Sequence, residues 1–243
     1  MGGAVGMWPV DAESLRETQH GLAAARPRPW QAEPAGARIS GCWACFPRGL
    51  SGRGGTHDPA WAASVVLVGG RVVDRSVVEG YAGAPYTPGL LALRLGPLLE
   101  KVVRSLAAPP DVLLLDATGR DHPRRAGLAL HLGAELDVPT VGVTHRPLLA
   151  EGEWPADVRG AVAPLRIGRE EVARWVRTQP GTRPLVVHPG WRVDLDQAVA
   201  VVMAATASRR TPEPLRRARQ LAREARVDQP HASPKLSPWP PTE

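Results

Sequence analysis

Residues 111–143, DVLLLDATGRDHPRRAGLALHLGAELDVPTVGV, decide the fold of this chain. Residues 111–116 hold a short, continuously apolar run between two aspartates, which is typical of a strand buried on both faces of a sheet. Residues 139–143 form a second apolar run, and the segment between the two predicts a helix over 123–136 that opens at Pro123. A strand, a helix and a strand in this order indicate a sheet covered by helices.

The same alternation extends upstream. Residues 89–95, GLLALRL, predict another strand. Gly96 and Pro97 predict the start of a helix, because proline is tolerated in a first turn, where its missing N–H is not needed. Residues 89–143 therefore alternate as β-α-β-α-β. The sequence predicts an α/β fold in a single domain, with a parallel or mixed sheet flanked by helices.

Two hairpins are predicted outside this alternation. Residues 61–68 and 71–80 are rich in β-branched side chains and flank a Gly-Gly pair, which reaches the positive φ angles of a tight hairpin turn. Residues 171–179 and 184–188 predict a second hairpin. The other predicted elements are a strand over 37–46 and helices over 11–25, 194–206 and 213–226.

Length and composition agree with one domain. The chain has 243 residues, of which 43% are hydrophobic and 22% charged, so it can fill a core and is too apolar for a wholly disordered or fibrous chain. We assign residues 1–228 to the domain and predict that the Pro/Ser-rich residues 229–243 form a disordered tail.

The sequence offers no membrane or export signal. We find no apolar run of about 18 residues or more, the length that indicates a membrane span. Residues 1–15 lack the charged region and the apolar stretch of a signal peptide. We therefore expect a cytoplasmic protein with no membrane partner, and a monomer by default.

The positive net charge of the chain is a weak indication of nucleic-acid binding. The formal net charge is +6, and 28 of the 30 basic residues are arginines. Positive charge is what phosphate binding needs, although it can also reflect composition alone. Residues 207–243 hold eight basic and four acidic residues, so most of the excess lies in the terminal helix and tail. We therefore predict no strongly charged groove around Asp116.

Cys42 and Cys45 form a C-x-x-C pair within the predicted strand over 37–46. A single pair lacks the four ligands of a structural zinc site. Residues three apart in a strand also point to opposite faces, so the two sulfur atoms would not converge. We predict two buried structural cysteines.

Several blocks occur in the order found in the endonuclease V family, and the chain resembles that family over residues 8–228. The blocks are ISGCWACF (39–46), PYTPGLLALRLGP (85–97), DVLLLDATGRDHPRRAGLALHLG (111–133), DVPTVGVTHRPL (137–148), VVHPGWRVDLDQAV (186–199) and RRTPEPLRRARQLAREAR (209–226). The resemblance implies a ribonuclease H-like fold, with a mixed five-stranded core sheet flanked by helices. It also implies Mg²⁺-dependent cleavage of a phosphodiester near a deaminated purine, typically hypoxanthine, in DNA or RNA.

The family's catalytic residues are largely replaced. Trp43 stands where the family has an aspartate, and Leu95 stands where it has a glutamate. His145 falls in the family's lysine block, and Trp191 replaces a histidine. Asp116 remains as the catalytic carboxylate and as the single, weak candidate metal ligand. Tryptophan and leucine cannot coordinate a hard cation, which takes oxygen ligands.

Other family positions are kept. The nucleic-acid-binding residues that the resemblance implies are Tyr86, Pro88, Gly89, Gly119, His122 and Arg124. The first three match a strand-separating wedge, in which the aromatic ring fills the gap left by a displaced base. A Pro-rich turn with a packed tyrosine is the structural alternative. Gly119, His122 and Arg124 match a loop near the base pocket. The alternative is that the fold alone requires this loop.

Three hypotheses follow. The first is an endonuclease V-like nucleic-acid-binding protein whose Mg²⁺-dependent cleavage is impaired or lost. The second is an active endonuclease whose metal site is rebuilt from another carboxylate. The candidates for this are Asp58, Asp121, Asp194 and Asp196. The third is a pocket that binds a nucleoside or small metabolite, stacked against Trp43 and Trp191.

Overall fold

The computed structural model describes residues 8–227 as one mixed sheet with helices on both faces. In chain order the strands are β1 (Ile39–Cys45), β2 (Pro59–Val68), β3 (Arg71–Tyr81), β4 (Val112–Leu115), β5 (Thr140–Thr144), β6 (Val162–Ile167), β7 (Glu170–Val176) and β8 (Leu185–Pro189). The helices are α1 (Ala12–Ala24), α2 (Leu91–Arg104), α3 (Leu128–Leu136), α4 (Leu195–Ala204) and α5 (Glu213–Val227). The tail predicted over 229–243 lies outside the described residues. Within residues 8–227, no helix has the length and apolar character that crossing a membrane requires.

The strands lie in the order β3-β2-β1-β4-β5-β8-β7-β6. Strands β1, β4 and β5 are parallel, and every other neighbouring pair is antiparallel. The first five strands in this order form the mixed core sheet that the sequence predicts. Strands β8, β7 and β6 extend that sheet at the β5 edge.

The two helical layers follow from the alternation of side chains along β4. Leu113 and Leu115 pack into one apolar cluster with α1, α2 and α3. Val112 and Leu114 pack into the opposite cluster with α4 and α5. All four residues are buried, which confirms the prediction of a strand covered on both faces.

The two cysteines confirm the prediction made for them. Both are buried and free, and they belong to clusters on opposite faces of the sheet. Burial raises the pKa of the Cys42 thiol to about 12, so this thiol stays protonated and unreactive at neutral pH.

The strand predicted over 89–95 is wrong, because residues 91–95 are helical and residues 89–90 end the preceding loop. Residues 91–95 form the beginning of α2, which continues through Pro97. The buried residues of this helix recur with the 3.6-residue period, and this burial outweighs the strand-like composition. Pro97 is exposed in the second turn rather than starting the helix.

The helix predicted over 123–136 begins later, at Leu128. Residues before it form turns, with Arg125 in the left-handed region at φ +56 and Gly127 donating its N–H to the Gly119 carbonyl at 2.8 Å. The second predicted hairpin pairs as expected, since β7 and β8 are antiparallel. The sequence missed the β6–β7 hairpin, which turns at Gly168.

The turns after β4 are fixed by one buried carboxylate. Asp121 has no exposed surface and accepts backbone N–H groups from three consecutive residues of the loop after β5. The bonds run from Leu148 at 2.6 Å, Leu149 at 2.8 Å and Ala150 at 2.9 Å. Asp121 therefore joins the loops that follow two neighbouring parallel strands.

Asp121→Asn is expected to reduce the free energy of unfolding by about 3 kcal/mol, because an amide offers one acceptor oxygen and leaves buried N–H groups unpaired. Urea denaturation monitored by circular dichroism measures this. Asp196→Asn is the matched control, since the side chain of Asp196 is 89% exposed and its ion pair with Arg174 is expected to contribute less than about 1 kcal/mol. Equal losses in the two variants would contradict the role given to Asp121.

Candidate functional site

A cavity of about 180 Å³ lies beside the carboxyl end of β4, where Asp116 follows the strand. Pockets for drug-sized ligands span about 300–1,000 Å³, so this cavity suits a smaller group. Its walls come from α1, the loop before α2, the loop after β4 and the loop after β5. Four residues that the sequence singled out are brought together in its lining: Tyr86, Gly89, Asp116 and His122.

The carbonyl of Gly89 holds the loop before α2 in place. It accepts three hydrogen bonds, from Gln19 Nε2 at 3.1 Å, His122 Nε2 at 3.2 Å and an Arg124 terminal nitrogen at 2.7 Å. Gly89 has φ +74, in the left-handed region that favours glycine. The bonds tie the loop to α1 and to the turns after β4, so the cavity walls are fixed relative to one another.

We call the three hydrogen bonds to the Gly89 carbonyl, from Gln19, His122 and Arg124, the Gly89 clamp. His122 takes part in this clamp as a neutral imidazole. Its Nδ1 accepts the backbone N–H of Arg124 at 3.2 Å, so Nε2 carries the proton that is donated to Gly89. Burial lowers the pKa of His122 to about 4, and the neighbouring Arg124 charge acts in the same direction. Arg124 also donates to Gln19 Oε1 at 2.5 Å. These contacts support a role for His122 and Arg124 in shaping the loop.

Tyr86 is exposed, with 46% of its surface accessible, although it lines the cavity. Its backbone is fixed by Arg53, whose carbonyl accepts the Tyr86 N–H at 2.7 Å and whose Nε donates to the Tyr86 carbonyl at 2.8 Å. Slightly less than half of the Tyr86 surface is therefore open to solvent, and the rest is covered by the protein. The two backbone bonds hold this partly exposed aromatic ring in the cavity lining.

Two further predicted residues lie in the same loops. Gly119 sits where the turns after β4 approach β8, and a Cβ there would lie 2.2 Å from the Pro189 carbonyl oxygen. Glycine is therefore required by the close approach of two backbones. Pro88 is exposed in the loop before α2.

Asp116 is surrounded by nitrogen-bearing side chains. Burial among protein atoms raises the pKa of its carboxyl, while His145, a hydrogen bond from Trp43 and the charge of Arg219 act in the opposite direction. The residue as a whole keeps contact with solvent, and water therefore screens part of these effects.

The two positions where the family resemblance implies carboxylates hold apolar side chains in the structure. Trp43 is half-buried on the α5 side of β1, and Leu95 packs against the apolar cluster that covers the other face of the sheet. Within residues 8–227, no group of three or more His, Cys, Asp or Glu side chains is arranged to hold a metal ion. The residues around Asp116 do not fit the magnesium centre that the family resemblance implies, since such a centre requires several oxygen ligands.

Each candidate for a replacement carboxylate has another partner. Asp121 is saturated by the backbone bonds described above. The other three are engaged as follows: Asp58 pairs with Arg94 at 2.9 Å, Asp194 caps α4 by accepting the Gln197 N–H at 2.8 Å, and Asp196 pairs with Arg174 at 2.5 Å. None of the four lines the Asp116 cavity.

Trp191 lies away from Asp116. Strand β8 runs antiparallel to β5, so Trp191 follows β8 at the beginning of β5, whereas Asp116 lies at the end of β4. The Trp191 backbone N–H donates to Thr140 Oγ1 at 2.8 Å, and its indole donates to Asp137 at 3.2 Å. The stacking platform predicted from Trp43 and Trp191 is therefore wrong, because the two rings lie at opposite ends of the parallel strands.

Positive charge gathers near Asp116, although the distribution of charge along the chain does not indicate it. Helix α5 folds back over β1 and β2, where Ala218 and Ala222 are buried. This places Arg219 beside Asp116 and His145. Counting charges along the chain cannot detect this, because residues distant in sequence supply the nearby charges. Sequence reasoning also missed the clamp residue Gln19 and the loop anchor Arg53.

The geometry agrees with comparisons to known proteins. The family model described as Endonuclease V matches residues 49–220. Endonuclease V of Streptomyces coelicolor is 38% identical over 227 residues, which cover 91% of this chain and 93% of that protein. The crystal structure of endonuclease V from Streptomyces avermitilis has a TM-score of 0.82 at 37% identity, and covers 91% of this chain and 95% of its own.

A more distant likeness concerns the fold alone. Endonuclease V of Ciona intestinalis, in complex with a 24mer DNA containing an inosine followed by a ribo-adenosine, has a TM-score of 0.74 at 22% identity. The match covers 89% of this chain and 97% of that one. From the family model, the relatives and the fold together, we conclude that this chain belongs to the endonuclease V family.

Proposed function

We propose that this chain binds nucleic acid at a deaminated base, hypoxanthine by family resemblance, and does not cut it through a magnesium centre. The proposal rests on a difference between two parts of the site, the residues suited to base recognition and the positions of the metal ligands. The parts suited to base recognition are assembled around the cavity, whereas the positions needed for metal ligation hold Trp43 and Leu95.

Base recognition is supported by the arrangement of Tyr86 and the cavity. A protein that reads a single base in a duplex takes that base out of the stack and binds it in a pocket. An exposed aromatic ring on a fixed backbone can occupy the gap in the stack, and the cavity lies directly beside it. The three hydrogen bonds to the Gly89 carbonyl hold the loop of Tyr86 against the elements that line the cavity.

Loss of cleavage is supported by the chemistry of the residues near Asp116. Hydrolysis assisted by a metal ion needs an assembled set of carboxylates to fix the ion and activate water. One exposed aspartate beside an indole, an imidazole and a guanidinium does not provide that set. An active enzyme with a rebuilt site has no support among Asp58, Asp121, Asp194 and Asp196, because each has another partner.

The chain is expected to show no cleavage of hypoxanthine-containing single-stranded DNA, duplex DNA or RNA in the presence of Mg²⁺ or Mn²⁺. The reason is that a single carboxylate leaves the ion loosely held and wrongly placed. Gel electrophoresis of end-labelled oligonucleotides measures this, with Asp116→Ala as the control. Metal-dependent cleavage that disappears in Asp116→Ala would contradict the proposal.

Tyr86→Ala is expected to weaken binding to a hypoxanthine-containing duplex by about tenfold, since stacking of a base on an aromatic ring contributes about 1–3 kcal/mol. Tyr86→Phe is expected to retain affinity. Fluorescence anisotropy with a labelled duplex measures both. Tyr81→Ala is the matched control, because Tyr81 is 64% exposed at the end of β3 and does not line the cavity. The wedge role is wrong if the two alanine variants bind alike.

A further inference from the structure

Two arginines of α5 lie over the ring of Trp43. The guanidinium carbons of Arg219 and Arg223 are 5.4 and 5.3 Å from the ring centroid, within the range of a cation–π contact. The two residues are four apart on the helix, so they share one face. Both are exposed, and neither forms a hydrogen bond or ion pair within residues 8–227. Their charges are therefore available to a ligand.

The position of this pair is fixed by packing. Leu215, Ala218 and Ala222 of α5 are buried against the sheet. The helix lies so close to β1 that a Cβ on Gly41 would be 2.4 Å from the Leu215 backbone nitrogen. Contact with the Trp43 ring then restricts the positions of both guanidinium groups. The two arginines therefore lie at a defined place on the protein surface.

Further positive charge lies near the pair. Burial lowers the pKa of Arg223, and the charges of Arg219, Arg226 and Arg48 act in the same direction. Arg219 also lies near His145, whose pKa is lowered by burial and then by Arg210, Arg219 and Arg183. Like charges gathered at one place destabilise each other, and a bound anion relieves that repulsion.

Asp116 is the acidic neighbour of this surface. Its charge opposes the binding of an anion, and the nearby His145 and Arg219 offset it. The family resemblance places carboxylates at 43 and 95. In this chain the Trp43 indole stands at the first of these positions, directly under the two guanidinium groups, so that negative charge is absent from this surface.

We propose that Arg219 and Arg223, seated on Trp43, form an anion site that takes a phosphodiester of nucleic acid without a metal ion. The inference rests on the proposed function and adds how the backbone of the ligand is held. Guanidinium groups suit this ligand, because their planar donors match phosphate oxygens in a bidentate way. Fixed protein charge thus contacts the phosphate directly.

The test measures binding of a labelled hypoxanthine-containing oligonucleotide by anisotropy, in EDTA, at several NaCl concentrations between about 50 and 200 mM, the range over which phosphate contacts are salt-sensitive. Wild type is expected to bind in EDTA without any need for Mg²⁺, and added Mg²⁺ is expected to weaken binding as NaCl does, because both compete for the phosphates. The double variant Arg219→Gln with Arg223→Gln is expected to lose about tenfold in affinity. The slope of log affinity against log salt is expected to become shallower by about 1, because one phosphate contact is lost.

Two variants serve as controls. Arg217→Gln removes the same charge from the same helix, but Arg217 faces Glu213, to which its Nε donates at 2.8 Å. Its affinity and salt slope are expected to stay near those of wild type. Asp116→Asn is expected to strengthen binding several-fold by removing the opposing charge. If a metal ion on Asp116 held the phosphate, Asp116→Asn would instead weaken binding. Thermal melting confirms that each variant is folded.

The outcomes separate the two claims. A double variant that behaves like Arg217→Gln, or wild-type binding that EDTA abolishes, overturns the anion site and leaves base recognition standing. Binding that depends on Arg219 and Arg223 but does not prefer hypoxanthine to guanine supports the anion site and overturns base recognition. A wild-type chain that binds no oligonucleotide overturns both.

Discussion

The burial of β4 on both faces is the constraint on which the rest of the structure depends. Its residues, Val112–Leu115, are covered by helices from two sides, which fixes β1, β4 and β5 as parallel neighbours. Their carboxyl ends then meet at one edge of the sheet, where open α/β sheets place their ligands. Asp116, Trp43 and His145 are neighbours for this reason alone.

At that edge the proposed recognition surface lies beside a group of positively charged side chains. The loop that presents Tyr86 is anchored through the Gly89 carbonyl to α1 and to the turns after β4. Beside it, the Trp43 indole lies under the guanidinium groups of Arg219 and Arg223, at a position where the family resemblance implies a carboxylate. A site of this kind favours an anion over a divalent cation, since its fixed charges are mainly positive.

The sequence predicts the sheet and the pocket loops well, because both depend on local patterns. The apolar run before Asp116, the Gly-Gly hairpin and the block around Tyr86 each carry their own signal. Residues 89–95 mislead, since leucine-rich segments suit a strand or a helix and tertiary burial decides between them. The Arg219–Trp43 contact, the Gln19 clamp and the separation of Trp191 from Trp43 join residues distant in sequence. No local pattern reveals such contacts.

The central claim is that fixed arginines, and not a metal ion, face the nucleic-acid backbone at this edge of the sheet. A crystal structure of the chain with a hypoxanthine-containing oligonucleotide, grown in MnCl₂ and measured at the manganese absorption edge, tests it most directly. The account predicts a phosphate against the guanidinium groups of Arg219 and Arg223, with no anomalous peak at Asp116. A manganese peak bound to the Asp116 carboxylate and bridging to the phosphate would contradict it.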